Sequence, residues 1–312
     1  MPLPQLSVML INFSATDPGG WQPLLDGARA ADRAGVDRLA VSDHVVFGEN
    51  LEAYGDSKVG GTEGGKQPTG PDGPWLEPLT LLSVVAGMTT NVRLATGILQ
   101  AALRRPAVLA KATATLDVLS GGRLDLGVGV GWQREEYEAA GLSFEDRGRL
   151  LNHTLAVCQA LWGNDRVDFD DDDLHFEAIH SMPKPLQAGG VPIWVSGTLN
   201  DRVLDRLVRF GAGWVPWGPI ARDPVTGIDR VREALAAAGR DASDLQIQGR
   251  LPIVKSSDGT VDLARTMEGV PALAEAGITD FRAPVSITLE PSANADYLSE
   301  MVAAFRQAVG RP

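Results

Sequence analysis

Apolar positions along the chain fall into short runs separated by helical stripes. Segments 6–13 (LSVMLINF), 37–42 (DRLAVS), 92–100 (VRLATGILQ) and 122–130 (GRLDLGVGV) read as strands. So do 191–197 (VPIWVSG), 213–218 (GWVPWG), 245–254 (LQIQGRLPIV) and 278–285 (ITDFRAPV). Several are continuous rather than alternating, as expected for parallel strands covered on both faces. Between them, Trp21, Leu24, Leu25, Ala28 and Ala31 recur at helical spacing, and Gly35 ends that helix. Val108, Leu109, Ala112, Leu116 and Leu119 form a second stripe, closed by Gly121 and Gly122. Leu150, Leu151, Thr154, Leu155, Cys158, Leu161 and Trp162 form a third, which makes Cys158 a packed core thiol. Eight β/α units in 312 residues match a (β/α)8 TIM barrel, a single domain over residues 1–312. A doubly wound open sheet is the alternative; it has fewer strands and places its ligand at one switch point.

Two segments interrupt the alternation. Residues 48–76 are rich in Gly, Pro and charge and follow the second strand, on the face where barrels carry their sites. A connection of this length reads as a lid or binding loop, or as a disordered stretch. In residues 164–190, before the fifth strand, Val167, Phe169, Leu174 and Phe176 flank the acidic run Asp170 to Asp173. That pattern predicts a small hairpin with a solvated turn, because adjacent carboxylates repel and face water.

Composition narrows the function. The net charge of -12 argues against nucleic acid, which would favour clustered Lys and Arg. No apolar run approaches the roughly 18 residues of a membrane span. The first ten residues lack a basic region before an apolar run, and the single cysteine excludes an internal disulfide. Both features suit the cytoplasm. Of the four histidines, only His44 falls at a predicted strand end, next to Asp43 in AVSDHVVF. Metal-dependent barrel hydrolases gather several His and carboxylates there, so no metal site is expected. Imidazole titrates near neutrality, so His44 suits proton transfer, or else a structural hydrogen bond under the lid.

Two glycine-containing segments are candidate ligand contacts. Gly127, Gly129 and Gly131 alternate, but the dinucleotide fingerprint G-x-G-x-x-G requires glycine at the position of Trp132. In a barrel strand the alternating glycines share one face and leave room for a flat ring or for a neighbouring backbone. Ser196, Gly197 and Thr198 follow the fifth strand. Thr198 reads as an N-cap, with Asp201 three residues on, and such a helix start favours a phosphate.

Residues 94–162, centred on LSGGRLDLGVGVGWQREEYEAAG, resemble the luciferase-like monooxygenase superfamily, and most closely its deazaflavin-dependent branch. WLEPLTLLSVVAG (75–87), MPKPLQ (182–187) and the segment 192–217 follow the same pattern in order. The resemblance implies a TIM barrel with a flavin-like ring at its C-terminal mouth. It implies an Asp43–His44 pair beside that ring and a bulge at Thr96, Gly97 and Ile98 supporting it, often with a non-proline cis peptide. Gly129, Gly131 and Trp132 are then ring contacts, and Ser196, Gly197 and Thr198 hold the phosphate common to both cofactors. Arg104 and Arg105 are either contacts for an anionic cofactor tail or solvated charge. The expected activity is hydride transfer between coenzyme F420 and a small organic substrate. The alternative is a monooxygenase using FMN reduced by a separate reductase. Trp132 stands where deazaflavin sugar-phosphate dehydrogenases carry a Glu, which favours an apolar or aromatic substrate. Superfamily members are often homodimers.

Overall fold

The computed structural model describes residues 3–289 and 295–311. Its barrel strands are β1 (Gln5–Leu10), β2 (Arg38–Val41), β3 (Arg93–Thr96), β4 (Leu124–Val128), β7 (Ile193–Gly197), β8 (Gly211–Pro216), β9 (Gln246–Arg250) and β10 (Asp280–Ile287). They pair in parallel and close in the order β1-β10-β9-β8-β7-β4-β3-β2, so each predicted strand lies in one TIM barrel. The two further strands, β5 (Val167–Asp170) and β6 (His175–Ile179), form the predicted antiparallel hairpin outside it. Around the barrel run α1 (Gln22–Ala34), α2 (Pro78–Ala86), α3 (Pro106–Leu119), α4 (Arg134–Ala139), α5 (Arg147–Gly163), α6 (Asp201–Phe210), α7 (Val225–Ala237), α8 (Leu263–Glu268), α9 (Val270–Ala276) and α10 (Ala295–Ala308).

Strand alternation sorts the core into two parts. In β1, Leu6, Val8 and Leu10 join the large apolar layer between strands and helices. Met9 points inward and forms a small separate cluster with Ala40 and Ala95. Each fully buried aliphatic side chain in the outer layer contributes about 1.5–3 kcal/mol. The stripe expected on α3 is displaced: Val108 and Leu119 are 66% and 72% exposed. The buried face keeps Leu109 and Leu116 from that stripe and adds Ala110, Thr113, Ala114 and Asp117. The stripe is thus rotated rather than lost: small residues let α3 pack close to its neighbours, and Asp117 fixes a loop. Asp117 accepts from the backbone N–H groups of Leu186 and Gln187 at 2.8 and 3.2 Å.

The hairpin turn is anchored rather than simply solvated. Asp171 contacts His153 Nδ1 at 2.5 Å, and Asp173 pairs with Arg149, both partners lying on α5. Residues 48–76 are not structureless. They contain a 3-10 turn over Leu51–Gly55 and close against the barrel through Trp75, which stacks on Phe13 at 4.1 Å. From the far side, Trp217 Nε1 donates to the carbonyls of Gly60 and Gly61 at 3.0 and 3.1 Å. Cys158 is fully buried, as expected, and its only contact of note is a weak donation to the Pro106 carbonyl at 3.7 Å.

The barrel floor is ionic. Arg38 donates from Nε to Asp125 at 3.0 Å, from Nη2 to Gln5 at 2.8 Å and from Nη1 to Asp280. Its guanidinium also lies 4.4 Å from the Trp194 ring centre. Asp125 takes two further bonds from Arg93, both at 2.7 Å. Burial pushes Asp125 upward, but Arg38 and Arg93 hold it below its ordinary value of 3.8. A depressed carboxylate adds stability above its unfolded pKa and loses it as pH falls through the folded one. We expect Arg38→Ala to cost about 3–5 kcal/mol, because it leaves the buried Asp280 without its cation and Asp125 with Arg93 alone. Urea denaturation at neutral pH checks this, and an unchanged midpoint contradicts it. The difference from the parent protein should shrink on acidification below pH 4, where Asp125 protonates in the unfolded chain.

Candidate active site

A cavity of about 650 Å³ opens at the C-terminal mouth of the barrel, partly roofed by residues 54–75. Asp43, His44, Thr96, Gly97, Ile98, Gly129, Gly131, Trp132, Ser196, Gly197 and Thr198 all border it. The fold thus brings these residues to one place, whereas Arg104 and Arg105 are not part of the cavity lining and Arg105 is exposed.

The third strand ends early because its backbone leaves the ladder at Gly97. The Gly97–Ile98 peptide is cis. Ala95 pairs with Asp125, whereas Leu99 bridges Val128, so the register slips by one residue between them. The slip drives the Thr96 carbonyl against β4 at Gly127, where a Cβ would collide with its oxygen. The Thr96 hydroxyl donates to the Gly127 carbonyl at 2.7 Å. At Gly131, φ is +69° and a Cβ would overlap the Gln100 amide. The close backbone approach expected on the glycine face is present at Gly127, and the Gln100 side chain takes the space beside Gly131. All three glycines also border the cavity.

This packing fixes Gln100, which joins two buried carboxylates. Its backbone N–H donates to Asp43 Oδ2 at 2.8 Å, and its side-chain Nε2 donates to Glu136 Oε2 at 2.8 Å. Asp43 also receives both terminal nitrogens of Arg104, at 2.6 and 2.9 Å, and Arg104 reaches Glu77 at 3.0 Å. Arg104 is thus not free solvated charge: its guanidinium is committed to Asp43 and Glu77. Its fork is matched to an internal carboxylate. Burial pushes the Asp43 carboxyl above the ordinary range, against the pull of Arg104.

His44 pairs with a residue on the helix after β4. Its Nδ1 lies 3.1 Å from Glu136 Oε2, and the other oxygen of Glu136 accepts from Val45 N–H at 2.8 Å. The Glu136 side chain is fully buried and that of His44 is 9% exposed. The contact is met by the Nδ1–H tautomer donating to a carboxylate oxygen, the arrangement that leaves Nε2 without this bond. Aromatic rings enclose the imidazole: Phe47 at 4.4 Å, Trp75 at 4.8 Å and Trp132 at 5.7 Å between centres. Glu136 was not singled out from the sequence. Its signal was an acidic residue in the first turn of the helix directly after a barrel strand.

At the far side of the cavity, α6 begins later than expected. Asn200 is its N-cap, accepting from Val203 N–H at 3.1 Å. Thr198 lies before the helix and donates to the Trp217 carbonyl at 3.3 Å, while Asp201 pairs with Arg230. Beside Ser196, Gly197 and Thr198 stand Arg147, Arg202 and Arg206. Among the described residues none of the three forms an ion pair. Arg147 donates to the Phe144 carbonyl at 2.9 Å, and its Nε is buried without a partner. Arg206 bonds Asn152 and the Gly148 carbonyl at 2.7 and 3.2 Å, and burial lowers it to about 10. Three arginines without an ion-pair partner among the described residues, bordering one side of the cavity, fit an anion. Their i, i+4 spacing on α6, Arg202 and Arg206, was the sequence signal that went unread.

Known proteins match this architecture. The family model described as luciferase-like monooxygenase matches residues 6–261. An F420-dependent glucose-6-phosphate dehydrogenase of Mycobacterium leprae is 28% identical over 282 residues, covering 88% of this chain and 79% of that one. The crystal structure of an F420-dependent secondary alcohol dehydrogenase in complex with an F420–acetone adduct superposes with a TM-score of 0.72 at 17% identity, covering 97% and 99% of the two chains. A long-chain alkane monooxygenase superposes at 0.76 with 14% identity, covering 100% and 92%. With its closed parallel barrel and a family match over most of its length, the chain belongs to the luciferase-like monooxygenase family.

Proposed function

We propose that this protein is an oxidoreductase that binds coenzyme F420 and serves hydride transfer to or from a small organic substrate. The observation that carries the reading is the His44–Glu136 pair, held in an aromatic enclosure that shares one cavity with arginines that have no ion-pair partner among the described residues. The relatives named as F420-dependent support the cofactor. When bound, the deazaflavin supplies a ring carbon that accepts or donates hydride. Arg147, Arg202 and Arg206, with Ser196, Gly197 and Thr198, hold its phosphate arm. Thr96, Gly97, Ile98 and Gly129 form the wall behind the ring, and Trp132 forms an edge.

Oxidation of an alcohol releases a proton and reduction of an enone consumes one, so a group at the reacting atoms must move it. His44 Nε2 is that group. Glu136 fixes the imidazole orientation and stabilises its cationic form when the proton arrives. Asp43 has no free oxygen for this work. It holds the loop bearing His44 through Arg104 and Gln100, which makes it a positioning residue. The aromatic rings around His44 exclude water and favour an apolar surface on the substrate. FMN carries the same phosphate arm, and its use with oxygen is the second reading.

Cofactor titration separates the two. F420 should quench tryptophan fluorescence and stabilise the fold by about 2.7 kcal/mol at a hundredfold excess over Kd. Tight binding of FMN alone refutes the proposal. For the proton step, His44→Ala should keep F420 affinity and lose about 10²–10⁴-fold in kcat. Full turnover by that variant removes His44 from the mechanism. Glu136→Gln should lower kcat with KM and cofactor affinity preserved. Equal losses in all three would give Glu136 a merely structural role.

A further inference from the structure

Another cationic pair in the cavity is left without a counter-ion. Arg250 ends β9 and Arg282 lies in β10, and the two are direct register partners. Side chains of paired residues project from the same face of a sheet. That face is the interior: Gln248, two residues before Arg250, reaches Asp280, two residues before Arg282, at 2.8 Å. Between them, Phe281 points outward onto Phe305 of α10, with ring centres 5.5 Å apart. Two guanidinium groups therefore sit side by side, one layer above the ionic floor, and both border the cavity. Among the described residues, neither has a side-chain hydrogen bond or an ion pair. The nearest carboxylate, Asp280, is already used by Arg38, Ser7 and Gln248. Burial and the charge of Arg250 both lower Arg282 below its ordinary value.

A third donor faces them from the lid. Tyr54 borders the same cavity and is edge-on to Trp132 at 5.4 Å between centres. Its hydroxyl has no hydrogen-bond partner among the described residues. Burial raises its pKa despite the pull of Arg282 and Arg250, so at neutral pH it is a donor. Two adjacent like charges plus a phenol, with no acceptor among them, form an arrangement that an oxyanion completes. This group is distinct from the arginines at α6, because β8 separates β9 from β7 in the barrel order.

We propose that Arg250, Arg282 and Tyr54 form a subsite for an oxyanion, a carboxylate or a phosphate ester, carried by the substrate. The inference rests on the cavity being the redox site proposed above. It changes the expected substrate from a wholly apolar molecule to one with an apolar body against Phe13, Trp75 and Trp132 and an anionic end.

The test uses the full-length protein loaded with F420 and three matched probes: phenylacetate, phenyl phosphate and benzyl alcohol. Binding is followed by calorimetry. At least one anion should bind more than tenfold tighter than the alcohol, and the ratio between the two anions identifies the substituent. Arg282→Met and Arg250→Gln should each lose about 10- to 100-fold in anion affinity, with F420 affinity unchanged. Tyr54→Phe should lose less. Arg250→Gln changes an exposed side chain and serves as the safeguard if Arg282→Met fails to fold. Equal binding of the alcohol and the anions overturns the proposal. So does a loss of F420 affinity in the arginine variants, which assigns them to the cofactor. If the parent binds no F420, the function proposed above fails. The same anion titrations on the unloaded protein, with and without Arg282, then decide the subsite alone.

Discussion

The mouth of this barrel depends on one steric contact, the Thr96 carbonyl pressed against β4 at Gly127. It occurs where β3 gives up its ladder and slips by one residue against β4. From that slip follows the position of Gln100, and from Gln100 the joining of Asp43 to Glu136. A side chain at Gly127 would push the two strands apart and move each of these groups together. The site is therefore set by backbone packing in the barrel wall, upstream of any hydrogen bond to His44. Sites built on rigid strands in this way hold their geometry better than sites carried only by loops.

Charge is distributed against the average. The chain carries a net charge of -12, yet its main cavity is bordered by five arginines that have no ion-pair partner among the described residues, at two separate places. Arginines at the surface of an acidic protein pair readily, as Arg149, Arg166 and Arg230 do here. Of the arginines bordering the cavity, Arg38 on the floor is paired with Asp125 and Asp280, whereas these five face the cavity without such a partner. Cations held in a concave site of an otherwise acidic molecule focus the local potential, so anionic ligands are drawn to the cavity rather than to the exterior.

The sequence carried much of this arrangement, for identifiable reasons. Apolar runs flanked by Gly and Pro revealed all eight barrel strands; β2 and β4 are buried on both faces and need no alternation, while β9 alternates. The hairpin was legible from Val167, Phe169, Leu174 and Phe176 around an acidic turn. Local pattern failed where the deciding contact is remote. The cap of α6 moved from Thr198 to Asn200, since both are good caps and only the path of the chain after β7 selects between them. Arg104 read as a cofactor or solvent contact because its partner lies 61 positions away. Arg250 and Arg282 drew no attention singly. Their register across β9 and β10 is what makes them a pair.

The two buried carboxylates near His44 show why residue type alone does not assign a role. Asp43 is adjacent to His44 in the chain, and Glu136 is 92 positions distant, yet it is Glu136 that touches the imidazole. Both oxygens of Asp43 are taken by Arg104, and one also by Gln100. Such a charge is neutralised in place and acts as a fixed peg for the loop. Glu136 faces only neutral donors besides the imidazole, the amide of Gln100 and the N–H of Val45. Among the described residues no arginine or lysine bonds it, so its two oxygens are committed to the ring and to the loop that carries the ring. In the mechanism proposed for His44, the carboxylate held out of water beside Nδ1 is the group placed to orient the imidazole and to stabilise the proton it takes up.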